Sequence, residues 1–187
     1  MKVIKFLPFI CRLNYKETNI NNTEKKHKNY IFYPAQYWEH KNHQFLIDFF
    51  DEYNLDDKIS NISLICTGHD KGRLQYLKKL IEKKNLIEKI TLLNYVSDEE
   101  LAELYKNSIA VVFPSYIGSH SFPLYEAFYF RKPVLYNQDI LSKEFQDLVY
   151  LINIQSKKNL YDKICLMIED KKKKEKIINN SEKKFFE

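Results

Sequence analysis

Short apolar runs alternate with amphipathic segments along most of the chain, and this alternation restricts the possible folds more than any other feature. Apolar runs of about four to eight residues are typical of strands that are buried on both faces of a parallel sheet. Between these runs, apolar residues recur at intervals of about three and four, which is the spacing of one helix face. The predicted strands cover residues 30–33, 62–67, 89–96, 109–113 and 133–136, followed by a short extended segment over 147–154.

Predicted helices separate these strands and close the chain. One begins at Ser97, because Glu100 three residues later gives the spacing of a capping box. Another covers 124–131, after the fourth strand, and the last helices begin near residue 157. This order predicts the α/β class, as a single Rossmann-like domain over 30–187 with a parallel sheet flanked by helices. Residues 1–29 include a polar stretch rich in lysine and asparagine, and we predict a linker or interdomain segment there.

Charge and cysteine content narrow the choice of partner and compartment. The formal net charge of +5 suits phosphate-bearing partners, but the lysines are dispersed rather than arranged with aromatics along a groove, which argues against nucleic-acid binding. Cys11, Cys66 and Cys165 lack metal-binding spacing and are typical of thiols in a reducing compartment. We therefore predict a cytoplasmic chain. Its lysine-rich last helix either touches an anionic membrane at the inner face or, as we favour, packs on the protein.

Two loops have the content expected of a binding site. Ligands of open parallel sheets bind beyond the carboxyl ends of the strands, where loops run into helix N-termini that can cradle phosphate. Residues 34–43 and 114–123 form such loops; Lys41 adds charge to the first, and small residues in the second let the backbone approach a ligand. Neither a P-loop nor a dinucleotide glycine fingerprint occurs. The residues alone therefore predict a domain that binds a phosphorylated small molecule.

Four segments along the chain have a characteristic content and order. The first is IFYPAQYWEHKNHQFLIDFF, the second is ISLICTG, the third is ITLLNYVSDEELAELYKNSIAVVFPS and the fourth is GSHSFPLYEAFYFRKPVL. Together they resemble the C-terminal, donor-binding half of family 4 glycosyltransferases, which have the GT-B fold. The first segment resembles the first strand, loop and helix of that half, and the second and third resemble its central block. The fourth resembles its signature of two glutamates separated by seven residues. The resemblance extends over residues 7–187.

The resemblance implies roles for individual residues. Glu126 stands at the second glutamate of the signature, which hydrogen-bonds the ribose, whereas Gly118 replaces the first. Gln36 and Lys41 stand where the family has an arginine and a lysine that hold the diphosphate. The implied catalytic residues are Lys41 and Glu126. The implied donor-binding residues are Gln36, Lys41, Tyr95, Val96, Gly118, Ser119, His120, Ser121, Phe122 and Glu126.

The implied reaction is a hexosyl transfer from a UDP- or GDP-linked sugar to a glycan or lipid-linked acceptor, as in cell-envelope polysaccharide biosynthesis. The resemblance implies retention of anomeric configuration and no cofactor or metal, and no carboxylate pair near the two loops is placed to hold Mg²⁺. Because residues 1–29 are too few for an acceptor-binding domain, we expect the chain to need an N-terminal half or a separate subunit and to be inactive alone. The alternative is a stand-alone nucleotide-sugar-binding module without transferase activity.

Overall fold

Six parallel strands form one sheet in the order β3-β2-β1-β4-β5-β6 in the computed structural model, which describes residues 28–118 and 122–186. The strands are β1 Tyr30–Pro34, β2 Ser63–Thr67, β3 Ile90–Leu93, β4 Ala110–Phe113, β5 Val134–Asn137 and β6 Tyr150–Ile152. The four inner strands are buried at every residue, because helices cover both faces of the sheet. The predicted α/β domain with a parallel sheet is confirmed.

Helices connect the strands and close the chain. They are α1 His43–Tyr53, α2 Leu74–Lys83, α3 Asp98–Asn107, α4 Phe122–Tyr129, α5 Lys157–Glu169 and α6 Lys171–Phe186, with 3₁₀ turns at Glu39–Lys41 and Lys143–Leu148. The capping box before α3 is present. The Ser97 hydroxyl accepts a hydrogen bond from the Glu100 N–H at 3.2 Å, and the Glu100 carboxylate accepts one from the Ser97 N–H at 2.9 Å.

Helix α4 differs from its predicted bounds of 124–131, since it begins and ends two residues earlier. Pro123 lies in the first turn, where the missing N–H of a proline removes no helical hydrogen bond. At the other end, Arg131 has a left-handed φ of 53°, and the Lys132 N–H donates back to the Ala127 carbonyl at 2.8 Å. This is the hydrogen bonding of a Schellman-type stop, which the sequence shows less clearly with arginine than with glycine.

The last helix packs back on the domain. The Phe185 ring lies 5.5 Å from Phe128, 5.3 Å from Tyr125 and 5.4 Å from Phe145, measured between ring centroids. Ile177 of the same helix is buried. The apolar face of α6 is therefore covered by protein, as the favoured interpretation predicts. Among the residues that the structure describes, no helix is both long and apolar enough to cross a membrane.

The remaining predictions concern the N-terminal segment and the cysteines. The linker over residues 1–29 and Cys11 lie outside the described residues, apart from positions 28 and 29. The other two cysteines, Cys66 and Cys165, are buried free thiols, as predicted.

Candidate functional site

A cleft of about 390 Å³ lies at the carboxyl ends of β1 and β4, the two central strands of the sheet. The chain leads from β1 to β2, toward one edge of the sheet, and from β4 to β5, toward the opposite edge. A crevice therefore opens between the loops that follow β1 and β4. These are the two loops that the sequence singles out. Gln36 and Lys41 line the cleft from the first loop, and Gly118 and Pro123 line it from the second.

Hydrogen bonds tie the two loops together beneath the cleft. The buried Tyr33 hydroxyl donates to the Lys41 carbonyl at 2.7 Å, and the Ser115 hydroxyl lies 3.0 Å from it on the other side. The Asn42 amide donates to the Pro114 carbonyl at 3.1 Å. These contacts join β1 and the loop that follows it to Pro114 and Ser115, the first two residues after β4.

Lys41 carries the positive charge of the cleft. Its side chain is partly buried, and its Nζ lies 4.0 Å from where a Cβ on Gly118 would stand. Burial lowers the pKa of the Lys41 amine. Within 28–118 and 122–186 no carboxylate forms an ion pair with Lys41, and none lines the cleft. The cleft is therefore electrostatically suited to an anion.

Gly118 is required by the backbone. It has a φ of +100°, a conformation that side chains with a Cβ rarely adopt, and its carbonyl accepts a hydrogen bond from the Tyr136 hydroxyl at 3.1 Å. A glutamate at this position would be strained in the observed loop. The local geometry therefore favours glycine at position 118.

Gln36 is exposed and hydrogen-bonds to a neighbouring side chain. The Trp38 indole N–H donates to the side-chain oxygen of Gln36 at 2.9 Å. The amide nitrogen of Gln36 is the hydrogen-bond donor of the side chain. It brings no formal charge to the cleft.

Glu126 lies one turn into α4 and does not line the cleft. Its carboxylate accepts a hydrogen bond from the Tyr105 hydroxyl at 2.7 Å. Burial raises the pKa of Glu126, the Tyr105 hydrogen bond opposes that rise, and the charge of Asp98 adds to it. Asp98 is the first residue of α3, so the start of this helix contributes to the electrostatic environment of Glu126.

Tyr95 and Val96 lie just before α3. The Tyr95 ring is 65% exposed and stacks on His69, with 4.9 Å between ring centroids. Val96 is partly buried against the core. An exposed aromatic surface therefore lies beyond the ends of β2 and β3.

The predicted residues thus fall into two groups. Gln36, Lys41 and Gly118 meet in the cleft, whereas Tyr95, Val96 and Glu126 lie outside it. Phe122 begins α4 and is 67% exposed. Ser119, His120 and Ser121 lie outside the described residues.

Sequence reasoning missed the hydroxyl groups that shape the cleft. Tyr33, Ser115 and Tyr136 all line it. The two tyrosines lie within apolar strands and match the pattern of a packed core, so their polar role is hidden. The only available signal is their position near the carboxyl ends of β1 and β5. Among the described residues, no three His, Cys, Asp or Glu side chains are grouped to hold a metal ion.

His43 begins α1 and is buried, so we expect it to make the stability of the fold sensitive to acid. Its ring is buried between Tyr33 and Tyr37, with ring centroids 4.7 and 5.0 Å away. Burial, together with the charge of Lys41, lowers the pKa of His43 from 6.5 to about 3. The unfolded chain therefore binds a proton at this side chain below pH 6.5 that the folded chain does not bind until pH falls toward 3.

We expect the His43→Phe variant to lose part of the acid sensitivity of unfolding. Between pH 7 and pH 5.5, His43 should lower the free energy of unfolding by about 1 kcal/mol, and the variant should lack this contribution. Urea unfolding of both proteins over this pH range measures the difference. Parallel pH profiles for the two proteins would contradict the assignment.

The fold and the cleft define the class of this protein as a Rossmann-like α/β domain with an anion-suited ligand site at its topological switch point. A family model described as glycosyl transferases group 1 matches residues 15–184. The chain therefore belongs to the group 1 glycosyl transferase family.

Individual relatives agree with this membership. The chain is 31% identical over 119 residues to the O-antigen chain mannosyltransferase RfbU of Salmonella typhimurium strain LT2. The match covers 60% of this chain and 30% of RfbU, so the chain spans less than a third of the length of this relative.

Solved structures share the fold. The C-terminal domain of a glycosyl transferase group 1 family protein (LpcC) from Francisella tularensis has a TM-score of 0.71 at 19% identity, and the match covers 91% of this chain and 92% of that one. HepE from Anabaena, solved with UDP and glucose, has a TM-score of 0.68 at 17% identity, with coverage of 86% and 45%.

Proposed function

We propose that the chain is the donor-binding domain of a retaining, metal-independent glycosyltransferase that moves a hexose from a nucleotide sugar to a glycan or lipid-linked acceptor. The observation that carries this proposal is the cleft at the switch point, where the partly buried Lys41 ammonium faces a glycine in the opposite loop. Membership of the group 1 family supports the reaction class. The name of RfbU supports a role in building a cell-envelope polysaccharide.

The two groups of site residues suggest how the donor lies. The diphosphate would occupy the cleft, against Lys41 and the start of α4, since helix N-termini and a lysine both attract phosphate. The nucleoside would extend toward Glu126, which accepts the ribose hydroxyls, and the base would reach the main chain of Tyr95 and Val96. The electrostatic influence of Asp98 on Glu126 supports this direction, because Asp98 follows Val96 by two residues along the chain.

The same residues account for leaving-group departure. As the bond between the sugar and the diphosphate breaks, negative charge grows on the phosphate oxygens. The Lys41 ammonium and backbone N–H groups would stabilise that charge with little reorganisation, because hydrogen bonds from Tyr33 and Asn42 hold the Lys41 segment against β1 and Pro114. Gln36 contributes a neutral donor. Lysine and oriented amides can therefore provide the stabilisation that other enzymes obtain from a metal.

Transfer also requires an acceptor, and this domain offers one wall of a cleft. We propose that a second domain, on the same polypeptide or on a partner subunit, binds the acceptor and excludes water, so that the 187 residues alone do not transfer sugar. We further propose a cytoplasmic location. Peripheral contact with the inner face of a membrane would use the lysines around α6, since its apolar face is packed on the domain.

We expect the chain to bind a nucleoside diphosphate, and the Glu126→Gln variant to bind it more weakly by about 1–2 kcal/mol, because a hydrogen bond from the ribose to a charged group is replaced by one to a neutral group. Isothermal titration with UDP, GDP and ADP measures both. Glu99→Gln is the matched control, since Glu99 is exposed on α3. Absence of binding by all three nucleotides at millimolar concentration would rule out the proposed site.

A further inference from the structure

Tyr105, near the end of α3, carries a hydroxyl group whose position is fixed by packing. The side chain is fully buried. Its ring meets Phe32 of β1 edge-on, with centroids 5.0 Å apart at 90°, and stacks on Phe130 after α4, with centroids 5.4 Å apart at 9°. A ring enclosed by two aromatic neighbours keeps one orientation, so its hydroxyl points to one place.

That place is the carboxylate of Glu126. The Tyr105 hydroxyl donates to Glu126 Oε2 at 2.7 Å, a distance typical of a hydrogen bond to an ionised carboxylate, and also lies 3.3 Å from the Pro123 carbonyl. An ionised carboxylate accepts hydrogen bonds at both oxygens. With Oε2 engaged by the protein, Oε1 is the oxygen that remains for a ligand.

We infer that Tyr105 is a positioning residue for nucleotide recognition, which holds the Glu126 carboxylate so that Oε1 accepts the ribose hydroxyls. This inference rests on the proposed function, because it takes the ligand of Glu126 to be a ribonucleotide. It goes beyond that function in assigning the orientation of the glutamate to a buried tyrosine on a different helix. Tyr105 touches no ligand itself and acts only through Glu126.

The hydrogen bond also affects the charge of the site. Burial and the nearby Asp98 both raise the pKa of Glu126, and the Tyr105 hydroxyl is the interaction that opposes them. Without this hydroxyl, the carboxyl would take up its proton at a higher pH. A protonated carboxyl presents a donor where the ribose needs an acceptor, so recognition of the ribose would be lost earlier as the pH falls.

Tyr105→Phe removes the hydroxyl oxygen and keeps the packed ring. Its effect is measured as a change in the contribution of the ribose hydroxyls to nucleotide binding. The probes are UDP, GDP and ADP, each compared with its 2′,3′-dideoxy counterpart. The ratio of the two affinities isolates the contribution of the ribose hydroxyls. For the wild-type chain we expect a preference for the ribonucleotide, and for the variant a preference that is about fivefold to tenfold smaller. As the pH is lowered, the remaining preference of the variant for the ribonucleotide should disappear at a higher pH than that of the wild-type chain. The affinity for the dideoxynucleotide should be the same in the variant and the wild-type chain.

Two further variants distinguish positioning from simple packing. In Glu126→Asp the carboxylate is retained but is drawn back from the Tyr105 hydroxyl, so ribose preference should fall although the charge remains. In Glu126→Gln, adding Tyr105→Phe should change the preference little further, because the oriented carboxylate is already gone. Unfolding midpoints of all variants show whether the fold is intact.

The outcomes separate the two proposals. If the wild-type chain binds none of UDP, GDP and ADP, the proposed function fails and this inference fails with it. If it binds one of them with a ribose preference that Tyr105→Phe and Glu126→Asp leave unchanged, only the inference is overturned. Equal weakening of ribonucleotides and dideoxynucleotides by Tyr105→Phe also overturns it, since that result would indicate a general structural role.

Discussion

Replacing Gly68 by alanine is expected to lower the free energy of unfolding by about 3 kcal/mol, the upper part of the range for overpacked sites. A Cβ on Gly68 would lie 2.5 Å from the Ala35 carbonyl oxygen and 2.7 Å from Gln36 Cα. Both are backbone atoms of the loop that follows β1, so no side-chain rotation relieves the contact. The Ala35 N–H donates to the Thr67 carbonyl at 3.0 Å, which prevents the loop from moving away without losing a hydrogen bond.

Gly72→Ala is the matched control for this prediction. A Cβ on Gly72 would have no atom within 4 Å, and its cost comes from a positive φ of 93° alone. We expect a loss of about 1 kcal/mol there. Urea unfolding of the two variants measures the difference. Equal losses in the free energy of unfolding would show that the loop after β1 shifts to accommodate the added Cβ at position 68, which would contradict the prediction.

Gly68→Ala should also affect the cleft, because Gln36 is at the point of collision and Lys41 follows in the same loop. A Gly68→Ala chain that still folds at low temperature should therefore bind nucleoside diphosphate more weakly than the Gly72→Ala chain. The close contact also gives a physical reason for one of only three glycines in the chain. Gly68 directly follows β2, and the backbone of the loop after β1 passes close to its Cα.

The fold and the position of the cleft were predictable because they depend on patterns along the chain. Wholly apolar runs between helices allow only a parallel sheet that is covered on both faces. In such a sheet the ligand site lies beyond the carboxyl ends of the strands, and two loops contained a lysine or small residues at that end. Lys41 and Gly118 could be assigned to the site for this reason, and the structure brings them together.

The hydrogen bonds that organise the site were not predictable, because they join residues on different elements. Tyr105 and Glu126 are 21 residues apart and belong to separate helices. Each matches its helix pattern without needing the other, so nothing in the spacing indicates their contact. The Tyr136 hydroxyl that holds the Gly118 carbonyl is similar, since a tyrosine in an apolar strand is equally typical of simple packing.

Helix α4 connects the two parts of the site. Pro123, in its first turn, lines the cleft, and Glu126 lies one turn further along. Phe128 on the same helix packs against Phe185 of α6, so the C-terminal helix fixes the axis along which the two parts are spaced. Pro123 and Glu126 are thus spaced by a helix rather than by a loop. Under the proposed function, this helix would separate the phosphate end of the donor from its nucleoside end.

The Lys41→Met variant is expected to bind nucleoside diphosphates about ten to a hundred times more weakly than the wild-type chain, the loss expected for one or more hydrogen bonds to a charged group. Methionine keeps the length and apolar stem of the side chain but removes the ammonium group that faces Gly118. Because Lys41 is partly buried, solvent screens its attraction for phosphate less than it would at an exposed site. Affinity for the corresponding nucleoside, which carries no phosphate, should not change.

Titration of wild type and variant with UDP, GDP, uridine and guanosine separates these effects. Lys79→Met is the matched control, because Lys79 is exposed on α2 and its removal changes the net charge equally. Lys41→Arg should recover part of the lost affinity, since it restores the charge with a different geometry. If Lys41→Met and Lys79→Met weaken diphosphate binding to the same small extent, the general charge of the protein attracts the ligand and Lys41 does not hold the diphosphate. A loss confined to Lys41→Met and to phosphate-bearing ligands places the diphosphate in the cleft between β1 and β4.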